Sequence, residues 1–353
     1  MSPVTAPSSA IGALPLLSLF CGPGGLDLGF EQTRLFRPLL ALDHSKAAVE
    51  TYNANRPGEG LARQYDLSRD AREVVALWNS QAADAGVAPG PMGVIGGPPC
   101  QAFSLANVRK FDDDPRARLP LNYAAILEAL SSEWQVEFFL FENVAGIKAS
   151  RHSDSLSEFK RRFKDAGFDG VEEFELDAVD YGVPQHRRRV FIAGVRSGSG
   201  LEFAKPQESQ ERPRTVHDAI GSLPDPVFFK RGINPAETGV HPNHWCMNPR
   251  SKRFHDGSLK PGDRRGRSLR VLNWNEPSMT VAYGHREVHV HPNMDRRLSV
   301  FEAMLLQGFP ESYELKGSLS DQIRQVSDAV PPPLASALAT AFASMLGLEI
   351  DHA

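Results

Sequence analysis

Leu16-Leu17-Ser18-Leu19-Phe20 runs without a break into Cys21-Gly22-Pro23-Gly24-Gly25-Leu26, and Asp27 to Thr33 continues with helical character. A buried strand, a glycine turn and a helix in direct succession open a βαβ unit, which commits the chain to an α/β sheet. The glycines let backbone approach a ligand, and the helix N-terminus offers free N–H donors. The spacing is not the dinucleotide one, so a pyrophosphate is not the obvious ligand. Glycine turns between strand and helix are also common without any ligand.

The next strand, Pro38 to Leu42, ends in Asp43, and Ser45 to Asn55 reads as a helix. Asp43 can accept hydrogen bonds from ribose hydroxyls or cap that helix; the sequence leaves both open. Asp66 follows Gln64-Tyr65 at the end of a third strand. Phe20, Asp43 and Asp66 then line successive strand tips on one side of the sheet, where open α/β sheets bind cofactors. One turn and two acids without a phosphate clamp suit an adenosine carrying a sulfonium, against which the Phe20 ring can lie.

Met92-Gly93-Val94-Ile95 is a short buried strand leading into Gly96-Gly97-Pro98-Pro99-Cys100-Gln101-Ala102-Phe103-Ser104. Two glycines and two prolines at a strand end fix an unusual backbone and place one thiol at the mouth of the sheet. The bland alternative is a rigid turn with a buried, inert cysteine. Ala106 to Asn122 is charged, has prolines at 115 and 120, and reads as a mobile lid. A helix from Tyr123 to Ser132 and a buried strand, Val136 to Phe141, follow. That strand ends in Glu142-Asn143-Val144. A carboxyl at a strand tip beside the cysteine strand tip makes an acid and nucleophile pair; an isolated Glu there is otherwise a cap or surface acid.

Ser153 to Ala166 is an amphipathic helix and Val171 to Val179 is strand-like. After a turn at Asp180 to Pro184, alternation in Gln185-His186-Arg187-Arg188-Arg189 puts Gln185, Arg187 and Arg189 on one face and His186 and Arg188 on the other. Arginines leading into a buried strand need anionic or polar partners. Polar residues Arg196 to Pro213 mark a domain boundary. Residues 214 to 291 are rich in Pro, Gly, His and Arg and read as a small irregular domain. Arg297 to Gly308 is a helix, and Val326 to Pro333 opens a strongly apolar one, Leu334 to Leu348, which must pack back onto the first domain.

The 353 residues suffice for two domains, and 41% hydrophobic with 23% charged is ordinary for a globular protein. Residues 1 to 13 form a loose tail. The N-terminus has no basic region ahead of Leu14 to Phe20, so that run is a strand rather than a signal sequence. No apolar run has the length of a membrane span. Cys21, Cys100 and Cys246 lie far apart without metal-type spacing, which argues against a disulfide framework or a metal site and fits a reducing cytosol. The net charge of −4 gives no global sign of nucleic acid. The distribution does: Arg250, Lys252, Arg253, Lys260, Arg264, Arg265, Arg267 and Arg270 face only Asp256 and Asp263. Such a stretch is either a directed patch or a solvated loop. Pro277 to Arg286 is a second strand-turn with donors at its tip, Thr280, Tyr283, His285 and Arg286; loops of this kind contact phosphates and guanine edges.

These motifs together resemble a DNA cytosine carbon-5 methyltransferase, in the family's order and over nearly the whole chain. Phe20-Cys21-Gly22-Pro23-Gly24-Gly25 resembles the cofactor turn, Pro98-Pro99-Cys100-Gln101 the nucleophile motif and Glu142-Asn143-Val144 the acid motif. Gln185, Arg187 and Arg189 match Gln-x-Arg-x-Arg, and Glu302 to Pro310 and Gln325 to Pro332 the last two motifs. The resemblance implies a doubly wound, mixed α/β sheet of the S-adenosylmethionine-dependent type with a small irregular, mainly β target-recognition domain. It implies a catalytic domain of 1–200 plus 325–353 and a recognition domain of 201–324. The implied catalytic residues are Cys100, Glu142, Arg187 and Arg189. The implied cofactor residues are Phe20, Cys21, Gly22, Gly24, Gly25, Leu26, Asp43, His44, Asp66, Leu67, Pro99, Leu121, Asp328 and Ala329. The implied DNA contacts are Ser104, Arg116, Arg118, Gln185, Lys260, Arg264, Arg265, Arg267, Thr280, Tyr283, His285 and Arg286. The family usually has Gly-Asn where this chain has Ser327-Asp328, and often an aromatic ring where it has His44.

The resemblance further implies S-adenosyl-L-methionine as cofactor and double-stranded DNA as partner, with a cognate restriction endonuclease acting separately. The expected protein is a cytoplasmic, DNA-associated monomer that uses no membrane and no metal. Rival readings are a tRNA cytosine-5 methyltransferase and a catalytically silent DNA-binding relative. The size and charge of the irregular region favour DNA, and intact Cys100, Glu142 and Arg189 speak against silence. An amino-methyltransferase is disfavoured because Pro-Pro-Cys replaces the Pro-Pro-aromatic arrangement that stacks a base.

Overall fold

The computed structural model describes residues 12–58, 60–99, 119–148, 153–230, 232, 239–263, 269–280 and 289–349. The first part of the chain alternates strands and helices: β1 (Leu14–Leu19), α1 (Gly25–Gln32), β2 (Phe36–Asp43), α2 (Lys46–Ala54), β3 (Ala62–Gln64), α3 (Ala71–Asp84), β4 (Pro91–Gly96), α4 (Leu119–Ser131), β5 (Gln135–Val144), α5 (Ser153–Asp165), β6 (Phe168–Asp177) and β7 (Arg188–Arg196). The seven strands form one sheet in the order β3-β2-β1-β4-β5-β7-β6. β3, β2, β1, β4 and β5 are parallel, and β7 pairs antiparallel with both β5 and β6. Strand order reverses between β1 and β4. The loops that leave their carboxyl ends therefore diverge and open a crevice, as at any such switch point.

Strands buried on both faces explain the continuous apolar runs in β1, β4 and β5. One core, with Trp78, Tyr123, Phe139 and Phe163, lies under α3, α4 and α5. The other, with Phe30, Phe138 and Leu338, lies under α1 and α9 (Pro332–Leu346). Here α9 returns to the first part of the chain as its apolar composition required. It approaches α1 so closely that a Cβ on Gly29 would lie 2.4 Å from the Ala335 Cβ and 2.5 Å from the Pro332 carbonyl oxygen.

Between β7 and α9 lie α6 (Val216–Ile220), α7 (Val300–Leu306) and α8 (Leu319–Asp328). Regular β pairing in this part of the described chain is short: Val227–Phe228 with Trp245–Cys246, and Arg270–Val271 with His289–Val290. Its core combines apolar residues of α6, α7 and α8 with a buried ion pair. Arg296 donates to both carboxylate oxygens of Glu302 at 2.9 Å, and Glu302 also closes a capping box with Ser299 at the start of α7. A buried charge pair is tolerable only when its remaining polar sites are filled in this way.

The structure departs from the sequence reading in several places. α3 and α8 were not anticipated. α3 buries Val74, Val75, Trp78 and Ala82, an apolar stripe diluted by polar neighbours, and is capped by Asp70. β5 continues through Glu142 and Asn143, because antiparallel pairing with β7 keeps that backbone bonded to Val144. α4 begins at Leu119, so residues 119–122 belong to a helix rather than to a lid. Leu319 to Leu346 is apolar enough on average to resemble a membrane span. It is broken at Ala329 and Pro331, both extended, and α9 spends its apolar face on α1.

Candidate active site

The crevice is built from the carboxyl ends of β1, β2, β3, β4 and β5. After β1, Phe20 takes a left-handed backbone (φ 55°) and half-exposes its side chain. Gly22 N donates to Asp43 Oδ2 at 2.9 Å and Ser45 N to Asp43 Oδ1 at 2.8 Å, so Asp43 ties the turn to the tip of β2. The cap of α2 is Ser45, whose hydroxyl accepts from Ala48 N. That settles one ambiguity: the cap of α2 is Ser45 and not Asp43, and Asp43 Oδ2, which accepts from Gly22 N, keeps a lone pair open. His44 is exposed with Nδ1 3.4 Å from Asp43 Oδ1, and that contact raises its pKa. Asp66 is exposed after β3 and accepts from Ser68 N at 2.9 Å, which holds its carboxyl below the usual range. Leu67 and Leu26 are buried, whereas Pro99 and Leu121 are partly open. Cys21 is buried and its thiol pKa is pushed well up by desolvation; its backbone N–H donates to the Leu42 carbonyl oxygen and its own carbonyl accepts from Gly24 N.

At the tip of β4, Gly96-Gly97-Pro98-Pro99 leads to Cys100. Glu142 on β5 lies directly beside Gly97: a Cβ there would stand 2.5 Å from Glu142 Oε2. The Asn143 amide donates to the Pro98 carbonyl oxygen at 3.3 Å and steadies the proline turn. Glu142 is only 7% exposed, and its Oε1 lies 3.0 Å from Arg189 Nε on β7. Burial raises the Glu142 pKa, Arg189 and Arg187 pull it down, and Asp328 pushes it up. The predicted alternation holds: Gln185, Arg187 and Arg189 are buried while His186 and Arg188 are exposed. Arg187 donates its backbone N–H to Asp177 Oδ1 at 2.7 Å and its guanidinium to the Ser327 carbonyl oxygen at the end of α8. Asp328 ends α8 with one side open; protein packed around the rest raises its carboxyl pKa, against the pull of Arg187, Arg324 and Arg189. Ala329 is buried, and its carbonyl accepts from Gln307 Nε2 at 2.6 Å.

Gln185 was expected at the DNA. It is fully buried, and its amide donates to Gln307 Oε1 at 3.0 Å and to the Leu306 carbonyl oxygen at 3.3 Å. Its position is therefore internal, joining the entry of β7 to the end of α7. Thr280 is half-exposed and donates its hydroxyl to the His186 carbonyl oxygen at 2.6 Å; Lys260 is exposed. Cys100, Ser104, Arg116, Arg118, Arg264, Arg265, Arg267, Tyr283, His285 and Arg286 lie outside the described residues. Sequence reasoning assigned no role to Asn143 or Gln307, and it missed a network under the glycine turn after β1. There Asp27 accepts from Ser18 Oγ at 3.0 Å and from Tyr52 OH at 2.9 Å. Arg56 stacks 3.9 Å from the Tyr52 ring centroid and pairs with Glu31. Lone polar residues on otherwise ordinary helices carry no sequence signal for such a network.

A parallel sheet with one antiparallel insertion, a glycine turn after β1 and a buried acid–arginine pair beside the β4 loop define a methyltransferase-type catalytic domain. The chain belongs to the C-5 cytosine-specific DNA methylase family, whose model matches residues 14–344. It is similar to the Type II methyltransferase M.FnuDI of Fusobacterium nucleatum, at 32% identity over 92% of this chain and 93% of that one. It is also similar to the Type II methyltransferase M.MthTI of Methanothermobacter thermautotrophicus, at 33% identity over 92% and 96%. Among solved structures, an E. coli prophage DNA modification methyltransferase superposes with a TM-score of 0.74 at 26% identity, covering 95% of this chain and all of that one. Entamoeba histolytica EhMeth shares the fold, with a TM-score of 0.67 at 14% identity, covering 96% and 99%. The chain is thus a DNA cytosine-5 methyltransferase.

Proposed function

We propose that the protein transfers a methyl group from S-adenosylmethionine to carbon 5 of a cytosine flipped out of double-stranded DNA, through a covalent adduct to Cys100. The observation that carries this reading is Glu142, buried against Gly97 at the mouth of the sheet and ion-paired with Arg189. The residues around the turn suit the cofactor: a half-open Phe20 ring for a sulfonium, and the lone pairs of Asp43 Oδ2 and of exposed Asp66 for hydroxyl and amino groups. Gly22, Gly24, Gly25, Leu67, Pro99, Leu121, Asp328 and Ala329 would complete the cradle. Bound there, S-adenosylmethionine supplies an electrophilic methyl group.

The protein's own residues supply the rest. The Cys100 thiolate adds to carbon 6, forming a carbon–sulfur bond and shifting the ring's electron pair toward carbon 5. Glu142 holds the proton at ring nitrogen 3, which keeps negative charge from building there. Its raised pKa suits a carboxyl that must carry a proton. Arg189 orients Glu142 and, with Arg187, binds the base carbonyl oxygen. Once carbon 5 carries its methyl group, loss of its proton to a base expels the thiolate and restores the ring double bond. None of this can occur in a stacked duplex, so the base must be extruded.

Residues 1–200 plus 325–353 would form the catalytic domain and 201–324 the recognition domain. Ser104, Arg116 and Arg118 would contact phosphates, and Lys260, Arg264, Arg265, Arg267, Thr280, Tyr283, His285 and Arg286 would contact the target duplex. The protein would act as a cytoplasmic monomer; the Type II designation of its relatives supports a separate restriction endonuclease alongside it. No specific observation favours the tRNA reading. The test is incubation with methyl-labelled cofactor and either DNA or tRNA, followed by mapping of the modified base. Label at carbon 5 of cytosine in DNA is the expected result; label in tRNA alone refutes the proposal.

A further inference from the structure

Residues 313 to 316, between α7 and α8, are gripped from two sides. On one side stands α2 with the loop that follows it. Asn55 reads the Glu314 peptide in both directions, donating Nδ2 to its carbonyl oxygen at 2.8 Å and accepting its N–H on Oδ1 at 2.9 Å. Lys316 N donates to Thr51 Oγ1 at 2.8 Å. On the other side stands Asn243, fully buried, which reads the Leu315 peptide in the same way at 2.9 and 2.8 Å. The Asn243 carbonyl in turn accepts from Phe301 N on α7. The N–H and C=O of Glu314 thus face one side and those of Leu315 the other, so these four residues form a strap between the sheet-bearing part of the chain and the α7 part.

The strap ends at the glycine turn. Tyr313 OH donates to the Pro23 carbonyl oxygen and accepts from Arg56 Nη1 at 3.4 Å. The same rigid peptide plane, Pro23–Gly24, donates its N–H to the Cys21 carbonyl oxygen at 2.9 Å. Both polar ends of that peptide are therefore held, one by the turn itself and the other by Tyr313. Gly24 follows with φ 86°, a left-handed conformation that opens α1.

We propose that Tyr313 is a positioning residue for the cofactor turn: it fixes the Pro23–Gly24 peptide from outside the sheet, and the strap makes the shape of the turn depend on the seating of the α7 part. This rests on the reading of Phe20 to Gly25 as the cofactor turn. Tyr313 is buried, with its hydroxyl on the Pro23 carbonyl oxygen, and acts through the backbone. Loss of its hydroxyl leaves the Pro23 carbonyl without its holder, and the peptide gains freedom that cofactor binding must remove.

The test is calorimetric titration of the full chain with S-adenosylhomocysteine, alongside thermal unfolding. Tyr313→Phe should weaken binding about tenfold, the effect of one hydrogen bond's worth of preorganisation. Its KM for the methyl donor should rise by a similar factor while kcat at saturation changes little. Tyr123→Phe is the control. Its hydroxyl is equally buried and donates to the Leu140 carbonyl oxygen at 3.1 Å, away from the turn; it should lower the unfolding temperature but leave the dissociation constant unchanged. Unchanged affinity in Tyr313→Phe, or an equal loss in Tyr123→Phe, overturns the proposal. Should Tyr313→Phe fail to fold, Asn55→Ala loosens the strap without touching the turn and should weaken binding about threefold; no change there also overturns it. Wild-type protein that binds no S-adenosylhomocysteine would instead refute the cofactor reading itself.

Discussion

Oε1 of Glu142 on β5 lies 3.0 Å from Nε of Arg189 on the neighbouring antiparallel strand β7. The contact brings an acid and an arginine separated by 47 positions of sequence into one buried pair. Burial raises the acid's pKa and the arginine lowers it. Arg189→Met removes the opposing charge, so the Glu142 pKa should rise further. If protonated Glu142 is the working form, the alkaline limb of the pH–rate profile should move upward, on a kcat reduced by roughly 100-fold to 1000-fold. A limb that stays in place while kcat falls would separate Arg189 from Glu142.

Gly97 is the only residue type that fits against Glu142. A Cβ there would sit 2.5 Å from Glu142 Oε2. Gly97→Ala should displace the carboxylate and lower kcat by at least about tenfold, with a stability cost of about 1–3 kcal/mol from overpacking. Kinetics and thermal unfolding together check this: lost stability with normal kcat would mean that the acid tolerates the shift.

Docking of α9 on α1 makes a similar prediction far from the site. Gly29→Ala would bring its methyl group to 2.4 Å from the Ala335 Cβ and 2.6 Å from the Ser336 backbone nitrogen. Backbone cannot yield as a flexible side chain can, so denaturant unfolding should show a loss at or above about 3 kcal/mol. A negligible change would imply that α9 is seated less tightly.

Asp27 predicts a pH dependence of stability. It is fully buried, and desolvation raises its pKa from 3.8 to about 6, partly offset by Arg56. The folded state then holds a proton that the unfolded chain has released, so stability falls as pH rises from about 4 to about 6 and stays lower above it. Two pKa units correspond to about 3 kcal/mol. Asp27→Asn should remove most of this slope, because the Ser18 and Tyr52 hydroxyls can accept as well as donate. Unfolding midpoints measured between pH 4 and 7 for both proteins decide it; parallel curves would place the slope elsewhere.

Much of this was legible in the sequence because local signals agreed with the global fold. Apolar runs of strand length marked β1, β2, β4 and β5, and the glycine and proline turns marked the loops that follow β1 and β4. Alternation in Gln185 to Arg189 correctly separated buried from exposed side chains. It could not say what the buried ones meet. Gln185 turns to Gln307 and away from any surface, a pairing over 122 positions that no local pattern encodes. α3 and α8 escaped because their buried stripes are diluted by polar residues. The Asp27–Tyr52–Arg56 network and the strap at Tyr313 escaped for the same physical reason: each is assembled from single polar residues whose partners are brought together only by the fold.

The most direct test of the central claim is covalent trapping. Wild-type protein, incubated with S-adenosylmethionine and duplex DNA in which 5-fluorocytosine replaces cytosine, should form a denaturant-stable protein–DNA adduct, because a carbon-5 fluorine cannot be removed as a proton. Cys100→Ser should form none. An adduct in Cys100→Ser, or active methylation by the wild type without any trapped adduct, would contradict Cys100 as the nucleophile.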